Sequence, residues 1–209
     1  MEVFGDEYVD VSITTPKVYE VTIQGAGGSG ILMNKMPDLS ISKAEKKSQA
    51  KVDPTEAERL NWREKLYFRE DGSVIIPGEN IHESLKEGAA FWGMKIPGEG
   101  NKTYTNLVAA SIIIEDADLG INKDSNAIIP FGKAVNGNPS KGKKSGCKVY
   151  KIRPLIRPWK VTFTMHFFDG RLSLEILRTI FHYAGTFKGL GDWRPTYGRY
   201  EIVEIKEKG

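Results

Sequence analysis

The chain reads SLEILRTIFHYAGTFKGLGDWRPTYGRYEIVEIK between Ser173 and Lys206. In the first part of this stretch, apolar residues recur at helical spacing from position 174 to position 184, and Ser173 is a favourable N-cap residue. We therefore predict an amphipathic helix that ends at Gly185, because glycine readily adopts the left-handed conformation that terminates many helices. A glycine-rich turn follows at residues 187–200 and leads into a closing strand.

The turn at residues 187–200 holds three glycines and three basic side chains within fourteen residues, together with Trp193 and Tyr197. Backbone N–H groups beside glycine can face an anion, and arginine and aromatic side chains bind phosphates and bases. We expect Arg194 to bind a phosphate and Trp193 to be mainly structural. A turn that only connects a helix to a strand is the alternative interpretation, because short glycine patterns often arise for structural reasons.

The composition is that of a folded protein with one core. With 209 residues and 40% hydrophobic content, one domain with insertions is favoured over two domains. The first residues do not show a basic segment followed by an apolar one, and no run is long enough to span a bilayer, so we expect a cytoplasmic protein with no membrane partner. Cys147 is the single cysteine, which excludes an internal disulfide and a thiolate metal cage. We expect no metal and no other cofactor.

The net charge of +3 conceals a strong asymmetry along the chain. Residues 1–121 carry a net charge of −7, residues 122–160 carry +9, and residues 161–209 carry +1. A concentrated positive segment recruits polyanions through its local field. For three lysines of this segment, at positions 141, 143 and 144, a solvated mobile loop is an equally good interpretation. The candidate nucleic-acid-binding residues are Lys133, Lys141, Lys143, Lys144, Lys148, Lys151, Arg153, Arg157, Lys160, Lys188, Gly189, Gly191, Arg194 and Arg199.

Hydrophobic periodicity and turn residues predict the remaining elements. The glycine-rich segment at residues 25–30 lacks the flanking residues of a nucleotide-binding loop, so we interpret it as a flexible turn. The basic segment at residues 122–148 is either a protruding hairpin or partly disordered. The predicted elements are a strand at 18–24, a helix at 53–65, a hairpin at 66–76, a helix at 78–93, a strand at 105–115 and a strand at 159–167.

Without its insertions, this order of elements is β-α-β-β-α-β. It predicts an α+β fold of the ferredoxin-like, or RRM-like, type, with a four-stranded antiparallel sheet covered by two helices. A single domain at 1–209 would then carry two insertions, a finger-like one at 31–74 and a basic, thumb-like hairpin at 120–151. RNA-recognition domains with this layout bind strands through the open sheet face and its loops.

Two segments resemble the RAMP superfamily, the ferredoxin-like proteins of CRISPR effector complexes. The sequence IIPGENIHESLK at 75–86 resembles the superfamily's I-P-G-S-S-L-K-G helix start. The sequence GLGDWRPTYGR at 189–199 resembles its C-terminal glycine-rich loop, from which Asp192, Trp193 and Pro195 depart. The ending GLGDWRP also resembles short proteins carried by phages and mobile elements.

The RAMP resemblance implies a non-catalytic backbone-type subunit that binds single-stranded nucleic acid, with RNA the expected ligand, and that oligomerises along the strand. It also implies partners, which would be further copies of the chain or other subunits of an effector complex. The basic hairpin lies where such subunits carry a thumb.

Two alternatives remain open. One is a RAMP-like endoribonuclease, although His82, His166 and His182 fall on two predicted helices and a strand with no visible pairing, which favours structural roles. The other is a phage or mobile-element protein that binds single-stranded DNA or acts in assembly. A protein-binding decoy or assembly factor without nucleic acid would instead require the basic loop to meet an acidic partner. The sequence does not distinguish RNA from DNA.

Overall fold

The computed structural model describes residues 16–36, 54–136 and 148–208. Within these ranges the chain is an α+β protein with antiparallel sheets and four α-helices. The strands are β1 (Lys17–Gly25), β2 (Ile31–Leu32), β3 (Ser73–Ile76), β4 (Ile112–Ile114), β5 (Ala117–Asn122), β6 (Ile128–Asn136), β7 (Lys148–Ile156), β8 (Lys160–Phe167) and β9 (Tyr200–Lys208). The helices are α1 (Pro54–Leu60), α2 (Gly78–Trp92), α3 (Tyr104–Ser111) and α4 (Leu174–Tyr183).

The larger sheet has the strand order β3-β5-β8-β1-β9, and β4 also pairs with β8. One face is the core, because alternate residues of β8 are buried and α2 packs against α3, α4 and β4. The opposite face is polar: Thr22 and Thr162 share a hydrogen bond of 2.9 Å between hydroxyl oxygens, and Lys208 pairs with Glu20 at 3.4 Å. The residues that β8 directs to this open face are Lys160, Thr162, Thr164 and His166.

The smaller sheet has the order β2-β7-β6. Strands β6 and β7 form an antiparallel hairpin whose register runs from Ile128 opposite Ile156 to Asn136 opposite Lys148. Of the two interpretations of the basic segment, the described residues therefore form a hairpin. The segment at 137–147 lies outside the described residues.

The prediction of a strand at residues 105–115 is wrong for most of its length. Residues 104–111 form α3, and only Ile112–Ile114 are extended, as β4. The buried residues of α3 are Tyr104, Leu107, Val108 and Ser111, a spacing that defines one helical face. The β-branched residues that follow at 112–114 conceal this period, because they favour a strand over the whole segment.

The predicted end of the last helix at Gly185 is also wrong. The chain continues past α4 as a π-helical turn at Ala184–Lys188, and the left-handed residue is Gly189, with φ 74°. Gly185 serves close packing instead, because a Cβ atom there would lie 2.0 Å from the carbonyl oxygen of Tyr200. The predicted N-cap is confirmed, since the Ser173 hydroxyl accepts a hydrogen bond from the backbone of Ile176 at 3.3 Å.

Contact between α2 and the π-helical turn at Ala184–Lys188 depends on a second glycine, which gives a test of the fold. A Cβ atom on Gly88 would lie 2.6 Å from Cβ of Ala184 and 2.7 Å from its backbone nitrogen. We expect Gly88→Ala to lower the free energy of unfolding by about 1–3 kcal/mol, because overpacking outweighs the gain in helix propensity. Urea unfolding measures this change.

Gly170→Ala is the matched control, because a Cβ atom at Gly170 would meet no atom within 4 Å. We expect its stability to stay within about 0.5 kcal/mol of the wild type. Equal stability of the two variants would contradict the close contact between α2 and the π-helical turn.

Candidate nucleic-acid interface

The glycine-rich turn is fixed to the chain around β2. The backbone N–H of Gly198 donates to Gly30 at 2.8 Å, and that of Asp192 donates to the Leu32 carbonyl at 2.7 Å. A Cβ atom on Gly191 would lie 2.2 Å from that same Leu32 oxygen, and one on Gly189 would lie 2.9 Å from the Gly198 oxygen. The close approach that these glycines allow is therefore to the protein's own backbone.

Trp193 stands out in this turn because it has a φ of 52°, the one positive value at a non-glycine position among the described residues. Such a conformation costs roughly 1–3 kcal/mol and persists only where the surroundings impose it, often at functional sites. The half-buried Trp193 ring lies 5.8 Å from the ring of Phe131 and 6.4 Å from that of Tyr197. We call Phe131, Trp193 and Tyr197 the aromatic cluster.

Two cations lie over the aromatic cluster. The Lys133 ammonium is 5.6 Å from the centre of the Trp193 ring, and the Arg153 guanidinium is 5.9 Å from it. In the hairpin register Lys133 is opposite Lys151 and Phe131 is opposite Arg153, so these side chains share one face. Like charges directly opposite each other are unfavourable, and here the Lys151 ammonium is also paired with a carboxylate, that of Glu58, at 3.0 Å.

An ion network joins this face to α1 and to the glycine-rich turn. Arg153 donates through Nε to Asp192 at 2.6 Å, and its side chain is only 11% exposed. Glu58 on α1 accepts hydrogen bonds from Lys65 and, at 3.0 Å, from Lys151, and it lies 3.8 Å from Arg153. Arg153, which we predicted as a ligand-binding residue, is thus engaged in joining the hairpin to the glycine-rich turn.

The charge state of Glu58 follows from this network. Burial alone would raise the pKa of Glu58, but hydrogen bonds from Lys65, the Ile152 backbone and Lys151 outweigh it and lower the pKa to about 2. Burial also lowers the pKa of Lys65, against the opposing effect of Glu58. Glu58 is therefore held as a carboxylate by two lysine ammonium groups and one backbone N–H.

Arg194 is directed at α2. Its guanidinium nitrogens lie 3.2 and 3.3 Å from the two carboxylate oxygens of Glu87, and one of them lies 3.4 Å from the Gly189 carbonyl. The same carbonyl accepts a hydrogen bond from the buried Ser84 hydroxyl at 3.0 Å, and Tyr200 in turn lies 3.1 Å from that hydroxyl. Arg194 is exposed, yet its charge is already paired.

The remaining predicted residues fall into four groups. Lys188 follows α4 and places its ammonium 4.9 Å from the centre of the Phe91 ring. Lys148 is exposed at the start of β7. The exposed residues Arg157, Lys160 and Arg199 flank the other glycine-rich turn: Lys160 pairs with Gln24 on β1, and the Arg199 carbonyl accepts from Ala26 at 3.0 Å. Lys141, Lys143 and Lys144 lie outside the described residues.

The three histidines have separate environments. The Nε2 atom of His82 is 3.3 Å from the Val108 carbonyl, His166 pairs with Glu115 at 2.9 Å on the open sheet face, and His182 is exposed on α4. In the ranges that the structure describes, no group of three or more His, Cys, Asp and Glu residues could hold a metal ion.

Among those same ranges, no helix is both long enough and apolar enough to cross a membrane.

The solved structures that are similar to this chain include the following two. A chain of the type III-B Cmr-beta complex bound to cognate target RNA gives a TM-score of 0.51 at 13% sequence identity; the match covers 92% of this chain and 61% of that one, less than two thirds of its length. Cmr6 from Pyrococcus furiosus gives a TM-score of 0.43 at 12% identity, over 92% of this chain and 100% of that one. No protein-family model and no curated protein matches the sequence. The likeness to the Cmr-beta chain is one of fold.

Glu58 gives a test of the ion network. Because its folded pKa lies below the ordinary value of 4.5, ionised Glu58 stabilises the fold fully above about pH 4.5, and this stabilisation is lost as the pH falls towards 2. We expect Glu58→Gln to be less stable than the wild type near neutral pH, and the difference to shrink progressively below about pH 4.5. Urea unfolding at a series of pH values measures it.

The exposed Glu79, on α2, provides the control as Glu79→Gln. Its stability should follow that of the wild type across the same pH range. If the stability difference between the wild type and Glu58→Gln stays constant with pH, ionised Glu58 does not stabilise the fold through this network.

Proposed function

We propose that this chain is a non-catalytic protein that binds single-stranded nucleic acid, with RNA the favoured ligand, as a RAMP-like backbone subunit of an effector assembly. One observation carries the proposal: Trp193 is held at positive φ beside Phe131 and Tyr197, with Lys133 and Arg153 over its ring. Exposed faces of aromatic rings stack on bases, and nearby cations attract the phosphates.

The fold supports the proposal. We interpret the strands β9-β1-β8-β5 as the ferredoxin-like sheet, in which α2 connects β1 to β4 and β5, and α4 connects β8 to β9. The Cmr-beta neighbour was solved bound to cognate target RNA, which agrees with a nucleic-acid-binding role for this fold. The hairpin of β6 and β7 is then an insertion between the second and third ferredoxin strands.

The position of the binding surface differs from that of an RNA-recognition domain. Such domains stack bases on aromatic residues of the open sheet face. Here the open-face residues of β8 are Lys160, Thr162, Thr164 and His166. We therefore place the strand along the hairpin and the glycine-rich turn, where the aromatic cluster lies. In this proposal Trp193 contacts a base directly, while Arg194 is held by Glu87 and positions the turn.

Trp193→Ala tests the proposal. We expect binding of single-stranded RNA to weaken by about 1–3 kcal/mol, which is roughly 5- to 150-fold, because one stacked base is lost. Trp193→Phe should restore most of the affinity, because it retains an aromatic face. Fluorescence anisotropy with a labelled RNA oligonucleotide measures the affinities, and thermal unfolding reports the fold.

Tyr150→Ala is the matched control, because Tyr150 is an exposed aromatic residue on the opposite face of the same hairpin, paired with Ala134. Its affinity should equal that of the wild type. If Trp193→Ala binds RNA as tightly as the wild type does, the aromatic cluster is structural and the proposal fails.

Salt dependence tests the electrostatic part. Affinity should fall steeply with salt, and Lys133→Ala should reduce the slope of log K against log salt by about 0.7, the value for one phosphate on a single strand. Lys95→Ala is the control, because exposed Lys95 bonds Asn101 at 2.7 Å in a loop after α2. An unchanged slope in Lys133→Ala would remove this lysine from the interface.

A further inference from the structure

A second pair of exposed aromatic residues lies where α2 meets the turn after α4. The rings of Phe91 and Phe187 stack with centres 4.7 Å apart, although their side chains are 52% and 43% exposed. Tyr183 packs against both, at 6.2 Å from Phe91 and 5.8 Å from Phe187. The Lys188 ammonium lies 4.9 Å from the centre of the Phe91 ring. Burial of apolar surface alone does not explain this arrangement, because about half of the surface of each phenylalanine stays exposed.

One cleft is lined by a member of this pair, Phe187, and by a member of the aromatic cluster, Trp193. The cleft has a volume of about 490 Å³, and its wall also includes Lys188, Arg194 and Pro195. A chain of nucleotides that stacks on Trp193 and enters the cleft therefore reaches Phe187 without leaving the surface.

The charged side chains that line the cleft are compatible with binding of a polyanion. Its two carboxylates are already paired, Glu87 with Arg194 at 3.2 Å and Asp192 with Arg153 at 2.6 Å. Lys188 adds a positive charge beside the phenylalanine pair. Protein–protein interfaces are enriched in aromatic residues but depleted in lysine, so a lysine over an exposed ring fits a phosphate-bearing ligand better than a protein surface.

We infer that Phe91 and Phe187 form a second base-stacking site for the same single strand, with the intervening phosphates passing through the cleft beside Lys188. This inference rests on the proposed function and extends it: the chain contacts one strand at two places, the aromatic cluster and the phenylalanine pair. Ligands long enough to reach both gain affinity from the second contact, and short ligands do not.

The test compares oligouridylates of roughly 4 and roughly 16 nucleotides, lengths that bracket the site sizes of single-strand-binding folds. We expect Phe187→Ala to weaken binding of the long RNA roughly tenfold and to leave binding of the short RNA unchanged. Phe187→Leu keeps an apolar side chain without an aromatic face, so it should show the same loss while the melting temperature stays at the wild-type value. Phe168→Ala is the control, because Phe168 is also 43% exposed and lies outside this cleft.

The outcomes separate the two proposals. If Trp193→Ala weakens both lengths and neither Phe187 variant affects the long RNA, the second site is absent and the proposed function stands. An equal loss for both lengths in the Phe187 variants also overturns the second site. Loss of self-association in Phe187→Ala by sedimentation, with unchanged RNA affinity, assigns the pair to a protein interface. If Trp193→Ala changes neither length, the proposed function itself fails.

Discussion

The ion pair between Arg153 and Asp192 joins the two segments that form the aromatic cluster. Arg153 lies on β7 and Asp192 lies in the glycine-rich turn, and their side chains meet at 2.6 Å with the arginine almost wholly enclosed. Glu58 adds a carboxylate on the other side of the same arginine and also binds Lys65 and Lys151. Removing one member of such a network leaves its partners uncompensated, which destabilises the fold. Phe131 and Trp193 meet because this network holds their segments together.

The sequence predicted those parts of the fold that depend on local patterns. The alternation at residues 159–167 identified β8, and the predicted helix at 78–93 matches α2, which is capped by Gly93 with φ 67°. The prediction failed where a helical pattern is followed at once by a strand pattern. The residues of α3 lie next to the β-branched residues of β4 with no turn residue between them. It also failed at Gly185, because its contact with Tyr200 is a tertiary constraint that no local pattern expresses.

The candidate site was less predictable than the fold. Charge distribution and the glycine-rich turn identified the two segments that carry it, but the partners of each side chain depend on folding. Phe131 was not among the candidate residues, because its role arises only when the hairpin brings it to Trp193. Arg153 and Arg194 were chosen for their charge, and the structure pairs them with Asp192 and Glu87. A signal for such pairing was present, since Asp192 is the single acidic residue in an otherwise basic turn.

The conformation of Trp193 bears on how tightly such a surface can bind. The turn imposes this positive φ, because its backbone is hydrogen-bonded to Gly30 and Leu32. The free-energy cost of the strained backbone therefore falls on folding and not on ligand binding. A ring that is already oriented loses little conformational entropy on stacking with a base, and preorganisation of this kind raises affinity without additional contacts. The paired charges act in the same direction, because Arg153 is fixed by Asp192 before any phosphate approaches. The glycines, the ion network and the strained tryptophan thus have one common effect, which is to present a rigid aromatic face beside a basic hairpin.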